Sequence, residues 1–566
     1  MSVASDVSYS PVEVKHVHFF NGRASQRLLR TRLCGEVLET RCVLATYKWS
    51  PPLVRVGDLN WDDWTNWNIR NDQTGAYRAC VLGEYPGQAN TDDNVIFDRA
   101  DESICNLNIT VSLRSLEMRL GNTNAIFFDG THSLTISGSN NASFIQVDGG
   151  ALAAPAGSTG TLIVNPGAVF TFRAGELRGV DVDVKRGEKE AVMQFLPLAG
   201  RNPVVNRANV NVSGRLLWSD TPVGVAIPTT VTIKDKGIFD VKANNKRFGN
   251  QGQELDTRDV TVINQAGGTV VVDSAGQGVL IGTYQTAGTT KLVRGELYVH
   301  GSITQTAGTF ELAGGTLTLA ASTPAAPTLY VQGGTVSGSG TINGNLSLGD
   351  ERQNDPNPAP YPLVEPGGTG KIGQITINGN FVLYNGQLRI EIAGAGANEY
   401  DRIVVRDKFD LSRGLAARDR SATGVVLPAH AAIAANAEVP FLTFGSKAGQ
   451  FGQGKAVVDP NVGNNQYTWT ADSNDTKYWY KLQQAIPAVP AKMGGLLFRD
   501  NGALAGVFEP GTEALLAGIV VRLFDATWTT QLASTTTGAD GRYEFATLSA
   551  GSYVVAFDAP TGQRFT

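Results

Sequence analysis

Side chains of the types that cleave polysaccharides occur at several places in the chain. Paired carboxylates stand at Asp62-Asp63 and Asp92-Asp93, and two carboxylates in one site can break a glycosidic bond as acid and base or as acid and nucleophile. Segment 235–242 alternates Asp with Lys, as a lyase site would need. The five histidines are isolated from one another, at His16, His18, His132, His300 and His430. Because these residues form no ordered set of catalytic motifs, the sequence predicts no catalytic residue. Capping segments and an exposed strand edge explain the acidic clusters better.

Three closely spaced tryptophans lie in the stretch Trp61-Asp62-Asp63-Trp64-Thr65-Asn66-Trp67. Indole faces suit pyranose rings, so one interpretation is a sugar-binding platform. The alternative is that these side chains cap the first end of the fold that follows, and we favour this structural interpretation.

The composition excludes several classes of protein. The chain has 566 residues, of which 65 are Gly and only 17% are charged, while 42% are hydrophobic. The glycines lack a strict third-residue spacing, which excludes collagen, and the hydrophobic content is too high for a disordered chain. The net charge of −5 disfavours nucleic acid as a partner. Because the chain has no apolar run of the length that spans a bilayer, no transmembrane helix is predicted.

A repeat of about 20 residues is the strongest internal signal. Three segments share one register and end in Gly-Thr, at 265–269, 285–289 and 305–309. A second marker, Gly295 to Val299, precedes a similar segment at 315–319 by the same interval. The residues between these markers alternate between apolar and polar, as in strands. Short repeats of strands and Gly turns predict a parallel β-solenoid.

The predicted fold class is therefore all-β, a right-handed parallel β-solenoid (β-helix) followed by a small β-sandwich. We expect a cap at 46–94, about 14 coils at 95–415 and a closing segment at 416–482. Stacking of the repeats predicts an amide ladder of Gln265, Gln285 and Gln305 along the axis. A polar ligand-binding stripe is the less favoured interpretation of these glutamines.

Residues 1–45 differ from the rest of the chain in their scattered arginines. The stretch Arg32-Leu33-Cys34-Gly35-Glu36-Val37-Leu38-Glu39-Thr40-Arg41-Cys42-Val43-Leu44-Ala45 resembles the leader of large planctomycete surface proteins. That resemblance implies export, with processing near Ala45. The alternative is an irregular basic N-terminus without this role.

The implied export affects the interpretation of the four cysteines. Processing near Ala45 would remove Cys34 and Cys42 and leave Cys80 and Cys105. Two cysteines in an exported protein are candidates for one disulfide, and two buried thiols are an equally good interpretation. No Cys-x-x-Cys pair is present, which disfavours a zinc site.

Several motifs in the second half of the predicted solenoid resemble autotransporter-type surface solenoids. They are Gly338 to Asn345 (Gly-Ser-Gly-Thr-Ile-Asn-Gly-Asn), Ile375 to Asn380 (Ile-Thr-Ile-Asn-Gly-Asn), Leu388 to Ile392 (Leu-Arg-Ile-Glu-Ile) and Tyr400 to Ile403 (Tyr-Asp-Arg-Ile). The resemblance covers most of the predicted solenoid and rests on the order of the motifs. It implies a surface-exposed rod.

The C-terminal part has a different character. After a predicted linker at 483–494, segment 495–566 carries Gly538-Ala539-Asp540-Gly541-Arg542-Tyr543-Glu544-Phe545 and a later Gly551-Ser552-Tyr553. Segment 495–566 is similar to the B-type repeat domains of serine-aspartate repeat adhesins, which are small β-sandwiches related to the collagen-adhesin B module. Asp540-Gly541 supplies a hairpin turn.

The adhesin resemblance also implies a calcium site, because related domains often bind Ca²⁺ in an acidic loop after the first strand. This chain keeps Asp500, Asn501, Glu509 and Glu513, but Gly502, Ala503 and Leu504 stand where further ligands are expected. The alternative is an ordinary acidic loop. We expect no other cofactor.

These observations predict an exported, non-catalytic surface protein that acts in spacing and adhesion, located outside the cell. Its expected partners are cell-surface or extracellular-matrix components, either polysaccharide or protein. The alternative is a carbohydrate-active β-helix enzyme, a polysaccharide lyase or hydrolase, with a B-type accessory domain.

If calcium orders the acidic loop, removing it should destabilise the domain. We expect EDTA to lower the melting temperature of an isolated 490–566 fragment, followed by circular dichroism, and CaCl₂ to restore it. An unchanged melting temperature would contradict the calcium prediction.

Overall fold

A computed structural model describes most of the chain. The described residues are 45–52, 59–71, 74–88, 92–137, 143–249, 260–280, 282–320, 327–349, 361–412, 420–427, 430–451, 456–459, 469–483, 485–486, 491–499, 511, 513–548 and 553–558. They form two compact units, one within Leu44–Ala488 and one within Val489–Thr566. The predicted leader, apart from Ala45, lies outside the described residues.

Both units are built almost entirely of strands, and the described helical structure is one 3₁₀ turn, Trp64–Asn66. The first twenty strands are β1 Thr46–Trp49, β2 Trp67–Arg70, β3 Tyr77–Ala79, β4 Asn94–Phe97, β5 Ile104–Leu107, β6 Val111–Leu113, β7 Ser115–Met118, β8 Ala125–Phe128, β9 Ser133–Ile136, β10 Phe144–Ala153, β11 Gly160–Val164, β12 Val169–Arg178, β13 Val180–Val184, β14 Val192–Phe195, β15 Pro203–Asn206, β16 Asn209–Val212, β17 Arg215–Trp218, β18 Val223–Gly224, β19 Thr229–Ile233 and β20 Ile238–Val241.

The next twenty strands complete the large unit. They are β21 Lys246–Gly249, β22 Val260–Asn264, β23 Thr269–Leu280, β24 Gly282–Thr286, β25 Thr289–His300, β26 Ile303–Gln305, β27 Thr309–Ala320, β28 Thr328–Val331, β29 Thr335–Asn343, β30 Asn345–Leu348, β31 Leu363–Pro366, β32 Gln374–Asn378, β33 Phe381–Leu383, β34 Gly386–Ile392, β35 Arg402–Asp410, β36 Arg420–Val426, β37 Glu438–Ala448, β38 Ala456–Asp459, β39 Trp469–Ser473 and β40 Lys477–Leu482. All forty belong to one large sheet.

Within this sheet the strands form three ladders of parallel pairs, and the chain passes through the three ladders in turn. The first ladder runs β1, β4, β7, β10, β12, β14, β17, β20, β23, β25, β27, β29, β31, β34, β36 and β38. The second runs β5, β8, β10, β12, β15, β18, β21, β23, β25, β27, β29, β32, β35 and β37. The third runs β6, β9, β11, β13, β16, β19, β22, β24, β26, β28, β30, β33, β35 and β37. At about 4.8 Å per strand, the first ladder is about 70 Å long.

The sequence repeat is visible as strand register. Thr269 pairs with Thr289, and Thr289 pairs with Thr309, along the first ladder. Alternate residues of each strand point inward, so apolar side chains of successive strands stack in one continuous core. The first ladder extends beyond the predicted limits of 95 and 415, because β1 pairs in parallel with β4 and β36 pairs in parallel with both β34 and β38.

The tryptophans near residue 61 close the first end of the core. Strand β2 lies antiparallel between β1 and β3. The rings of Trp49, Trp61 and Trp67 pack edge-on and around Phe97, with centroids 4.9 to 6.4 Å apart. The buried Trp61 and Trp67 side chains donate their indole N–H groups to backbone carbonyls. These two indole faces therefore cannot stack on a sugar, and the capping interpretation is supported.

Antiparallel strands close the other end. Strand β40 pairs antiparallel with both β37 and β39, and the rings of Phe441 and Tyr480 stack at 4.4 Å. An uncovered parallel strand would offer its backbone groups to other chains, and an antiparallel hairpin removes part of that exposed edge.

The small unit contains two sheets around its own core. Strands β41 Ala491–Leu496 and β44 Arg542–Leu548 form one sheet, and β43 Gln531–Thr536, β42 Val520–Asp525 and β45 Tyr553–Phe557 form the other. Leu497, Val521, Leu523 and Phe545 form the buried core of this β-sandwich. Because β41 begins at Ala491, residues 491–494 belong to the sandwich and not to the predicted linker.

Tight packing of the backbone around Gly308 leads to a prediction. Its φ of +70° disfavours any side chain, and an added Cβ would collide with the backbone carbonyl of Gly288. Gly121 has a similar φ of +86° but open space around it, so Gly121→Ala is a matched control. We expect Gly308→Ala to lower the melting temperature by about 3–6 °C and Gly121→Ala by no more than about 2 °C. Equal shifts in melting temperature for the two variants would show that the backbone around Gly308 is not tightly packed.

Candidate functional site

The predicted calcium residues are mostly outside the described part of the chain. Asp500, Asn501 and Glu509 lie among the undescribed residues, while Glu513 is described and is buried at 7% exposure. The described residues contain no group of three or more His, Cys, Asp or Glu side chains that could hold a metal ion. The calcium site remains a prediction.

The predicted disulfide is absent. Cys80 and Cys105 are both free thiols and both are buried in the first end of the core. Burial raises the pKa of Cys80 to about 11 and raises the pKa of Cys105 well above its ordinary value. Both side chains are therefore neutral thiols at physiological pH, which corresponds to the alternative interpretation of two buried cysteines. Cys34 and Cys42 lie outside the described residues.

The predicted ladder of Gln265, Gln285 and Gln305 is wrong. In the third ladder Gln285 pairs with Ile263 on one side and Thr304 on the other. Gln305 is buried and pairs with Thr286, whereas Gln265 and Gln285 are exposed. The three glutamines therefore lie at different register positions of the third ladder and cannot stack.

An amide ladder does exist, at the two Asn-Gly-Asn motifs. The side chain of Asn378 donates to Asn343 Oδ1 over 2.8 Å, and Asn343 donates to Thr318 Oγ1 over 2.8 Å. At the second Asn of each motif, Asn345 Oδ1 accepts from the backbone N–H and the side chain of Asn380. These contacts join neighbouring strands of the large sheet, so both Asn-Gly-Asn motifs have a structural role.

The acidic clusters considered for catalysis also have structural contacts. Asp63 caps the 3₁₀ turn by accepting from the Thr65 backbone N–H, and buried Asp93 accepts from the Gly87 N–H over 2.9 Å. Asp240 forms an ion pair with Arg215 on the neighbouring strand.

Three other carboxylates converge beneath a glycine-rich loop, and the sequence analysis did not single them out. Glu365 and Glu391 both contact the Arg389 guanidinium, at 3.2 and 3.5 Å. The backbone N–H of Gly370 donates to Glu391 Oε1 over 2.9 Å. Asp401 accepts from the Gly373 N–H and from the Glu391 N–H, each over 2.8 Å.

These three carboxylates, Glu365, Glu391 and Asp401, are 6%, 1% and 0% exposed. Burial raises the pKa of Asp401 to about 8, against the two backbone hydrogen bonds that favour its charged form and with added repulsion from Glu391 and Glu365. Burial also raises the pKa of Glu391. Through the hydrogen bonds from Gly370 and Gly373, the cluster holds the loop at 366–373 against the first ladder. A signal in the sequence was present, since Glu391 and Asp401 lie inside the two motifs Leu-Arg-Ile-Glu-Ile and Tyr-Asp-Arg-Ile.

A groove of about 270 Å³ lies on the outer face of the third ladder, across β28, β30, β33 and β35. We call it the ladder groove. Ser347 and Val382 occupy its floor and stand in register between Tyr330 on β28 and Asp410 on β35. Tyr330 and Asp410 stand three strand spacings apart, about 14 Å, and the two positions between them carry the short side chains of Ser347 and Val382.

The sides of the ladder groove follow from the alternation of the strands. Asn345 and Asn380 stand two positions before the floor residues, and Tyr384 stands two positions after Val382. At the far end, Lys408 Nζ lies 3.0 Å from Asp410 Oδ2. Tyr330 is 42% exposed, which is high for an aromatic side chain in this unit.

Comparison with known families identifies the small unit. Residues 491–566 match the SdrD B-like domain family, and the match begins at the first residue of β41. A search of curated proteins finds no relative of the chain. None of the helices in the described part of the chain has the length and apolarity that a bilayer crossing requires. The resemblances to autotransporter-type solenoids and to the planctomycete leader remain predictions.

Asp401 generates a prediction for the effect of pH on stability. Its carboxyl keeps its proton up to about pH 8 in the folded chain but loses it near pH 4 when unfolded. The folded state thus binds more protons between these values, so its free energy of unfolding falls as pH rises through this interval.

We expect the melting temperature to decrease between about pH 5.5 and about pH 8.5, and to decrease less steeply in Asp401→Asn, which cannot ionise. The difference between the two slopes is the readout, because the substitution also disturbs a hydrogen bond. Parallel slopes for the two proteins would contradict the raised pKa.

Proposed function

We propose that this chain is an exported, non-catalytic surface protein that acts in spacing and adhesion, with the three ladders forming a right-handed parallel β-solenoid that carries the B-type sandwich. The observation that carries the proposal is the combination of a continuous first ladder about 70 Å long with an SdrD B-like domain in the same chain.

The ladder topology supports a solenoid. Each coil visits the three ladders in turn before the chain returns to the first, and the strands of each ladder pair in parallel with the corresponding strands of the coils before and after. A parallel crossover in one sheet is almost always right-handed, because a right-twisted strand leads the chain back in that sense. Such an architecture spans distance with few residues, as a stalk requires.

The small unit supports a location outside the cell. SdrD B-like domains are typical of surface-exposed proteins. A surface protein also agrees with the resemblance of residues 1–45 to an export leader. The expected partners are cell-surface or extracellular-matrix components, either polysaccharide or protein.

The contacts of the carboxylates support a role without catalysis. In glycoside hydrolysis two carboxyl groups must flank the bond that breaks and must reach the substrate. Glu365, Glu391 and Asp401 are instead buried and bound by Arg389 and backbone N–H groups. The alternative function, a carbohydrate-active β-helix enzyme, would show itself as turnover of a polysaccharide panel in reducing-sugar and unsaturated-uronate assays.

The location is tested with antibodies against the 491–566 domain on intact cells of the organism that makes this chain. We expect labelling of intact cells that is lost after brief external protease treatment, while a cytoplasmic marker is labelled only after lysis. Labelling confined to lysed cells would contradict surface exposure, and clear polysaccharide turnover by the purified chain would contradict the non-catalytic role.

A further inference from the structure

We infer that the ladder groove on the outer face of the third ladder is a binding site for a neutral oligosaccharide, two to three sugar rings long. This inference rests on the proposed adhesive function and adds to it the class of ligand and the place where the ligand binds.

The aromatic end of the groove provides one face of such a site. Tyr330 is 42% exposed on β28, beside the small side chain of Ser347 on β30. The face of a tyrosine ring carries negative partial charge, and the axial C–H groups of a pyranose carry positive partial charge. A sugar ring lying on Ser347 and Val382 can therefore contact the Tyr330 ring, and the Tyr384 ring lies at the side.

The sides of the groove offer hydrogen-bonding groups of the type that hydroxyls require. The backbone N–H and the side-chain amide of Asn380 both donate to Asn345 Oδ1, over 2.9 and 3.3 Å. Asn380 Oδ1 accepts from the Lys408 backbone N–H over 3.2 Å. These contacts fix the amides in place before any ligand binds, so that little side-chain entropy is lost on binding.

The charge of the groove favours a neutral ligand. Its charged side chains are Lys408 and Asp410, which neutralise each other at 3.0 Å. Asp410 is 3% exposed, so the pair is held within the structure at one end. The oxygens of Asp410 accept from Lys408 Nζ and from Ser412, so the exposed member of the pair is Lys408, whose ammonium group can donate to a neutral hydroxyl. An anionic polysaccharide would gain no net attraction from the neutralised pair.

The backbone around the groove disfavours a peptide as the ligand. Strands β28, β30 and β33 each pair in parallel with a strand on both sides, so their backbone groups are engaged in the ladder. A peptide that adds to a sheet binds through free backbone groups of an edge strand. A ligand of this groove must bind through side chains, along a length of about 14 Å that fits two or three pyranose rings.

The test is isothermal titration calorimetry of the full chain with cellotriose, laminaritriose, mannotriose and chitotriose, and with trigalacturonate as the anionic counterpart. We expect at least one neutral trisaccharide to bind with a Kd at or below about 1 mM. Tyr330→Ala should weaken that binding about tenfold or more, while Tyr330→Phe, which keeps the ring, should change it less than about threefold.

Two further variants separate the groove from other surfaces. Val382→Trp fills the floor and should abolish binding, with a melting temperature close to that of the unchanged chain. Tyr77→Ala removes a tyrosine of similar exposure, 38%, outside the ladders, and should leave binding unchanged.

Three outcomes would overturn the inference: no binding of any neutral trisaccharide, binding that persists in both Tyr330→Ala and Val382→Trp, or a preference for trigalacturonate. Labelling at the cell surface does not depend on this groove, so failure here is distinguishable from failure of the proposed function.

Discussion

The parallel register of successive coils is the constraint on which the rest of the large unit depends. One passage of the chain through the three ladders cannot bury its inward side chains by itself. Stacking at about 4.8 Å places Val270, Thr290 and Phe310 above one another, and the same holds for the other inward positions of the first ladder. Each coil is stable because its neighbours cover its apolar edge, so the two ends need special closure. The tryptophan cluster at one end and the antiparallel β37, β39 and β40 at the other provide it.

The same register determines which polar residues are tolerated. A polar side chain on one strand lies beside the residue in register on the next strand of the same ladder. It is stable there when the two form a hydrogen bond or an ion pair. Asn343 and Asn378 meet this requirement as an amide pair, and Lys291 and Glu311 do so on a neighbouring outer face as an ion pair at 2.9 Å. Glu391 and Asp401 are an extreme case, because the loop at 366–373 covers them and its backbone N–H groups become their partners. Burial raises the pKa of Asp401, and the backbone hydrogen bond from the loop opposes that rise.

Sequence patterns predicted the all-β class and the strand register better than they predicted individual contacts. The regular spacing of Thr269, Thr289 and Thr309 appears directly as register, because all three open strands of the first ladder. The glutamines fail for a specific reason. In the third ladder Ile263 pairs with Gln285 and Gln285 pairs with Thr304, so the first step is longer than the repeat and the second is shorter. The connections between strands differ in length. A repeat length measured along one ladder therefore does not hold along another. The ladder groove had no sequence signal, because it arises from the relative sizes of Tyr330, Ser347 and Val382, which lie far apart in the chain.

The three parallel ladders limit where binding can occur. The backbone groups of the inner strands are used by the ladders, and the inward side chains are used by the core. What remains for recognition is the outer side chains, which normally form a nearly flat, evenly spaced surface. A concave site can form on such a surface where small outer residues stand beside larger ones, as Ser347 and Val382 do beside Tyr330 and Tyr384. In this chain that interruption coincides with the Asn345 and Asn380 ladder, which holds the polar side of the groove in place. The corner contacts that stabilise the coils thus also orient the groups that a ligand would meet.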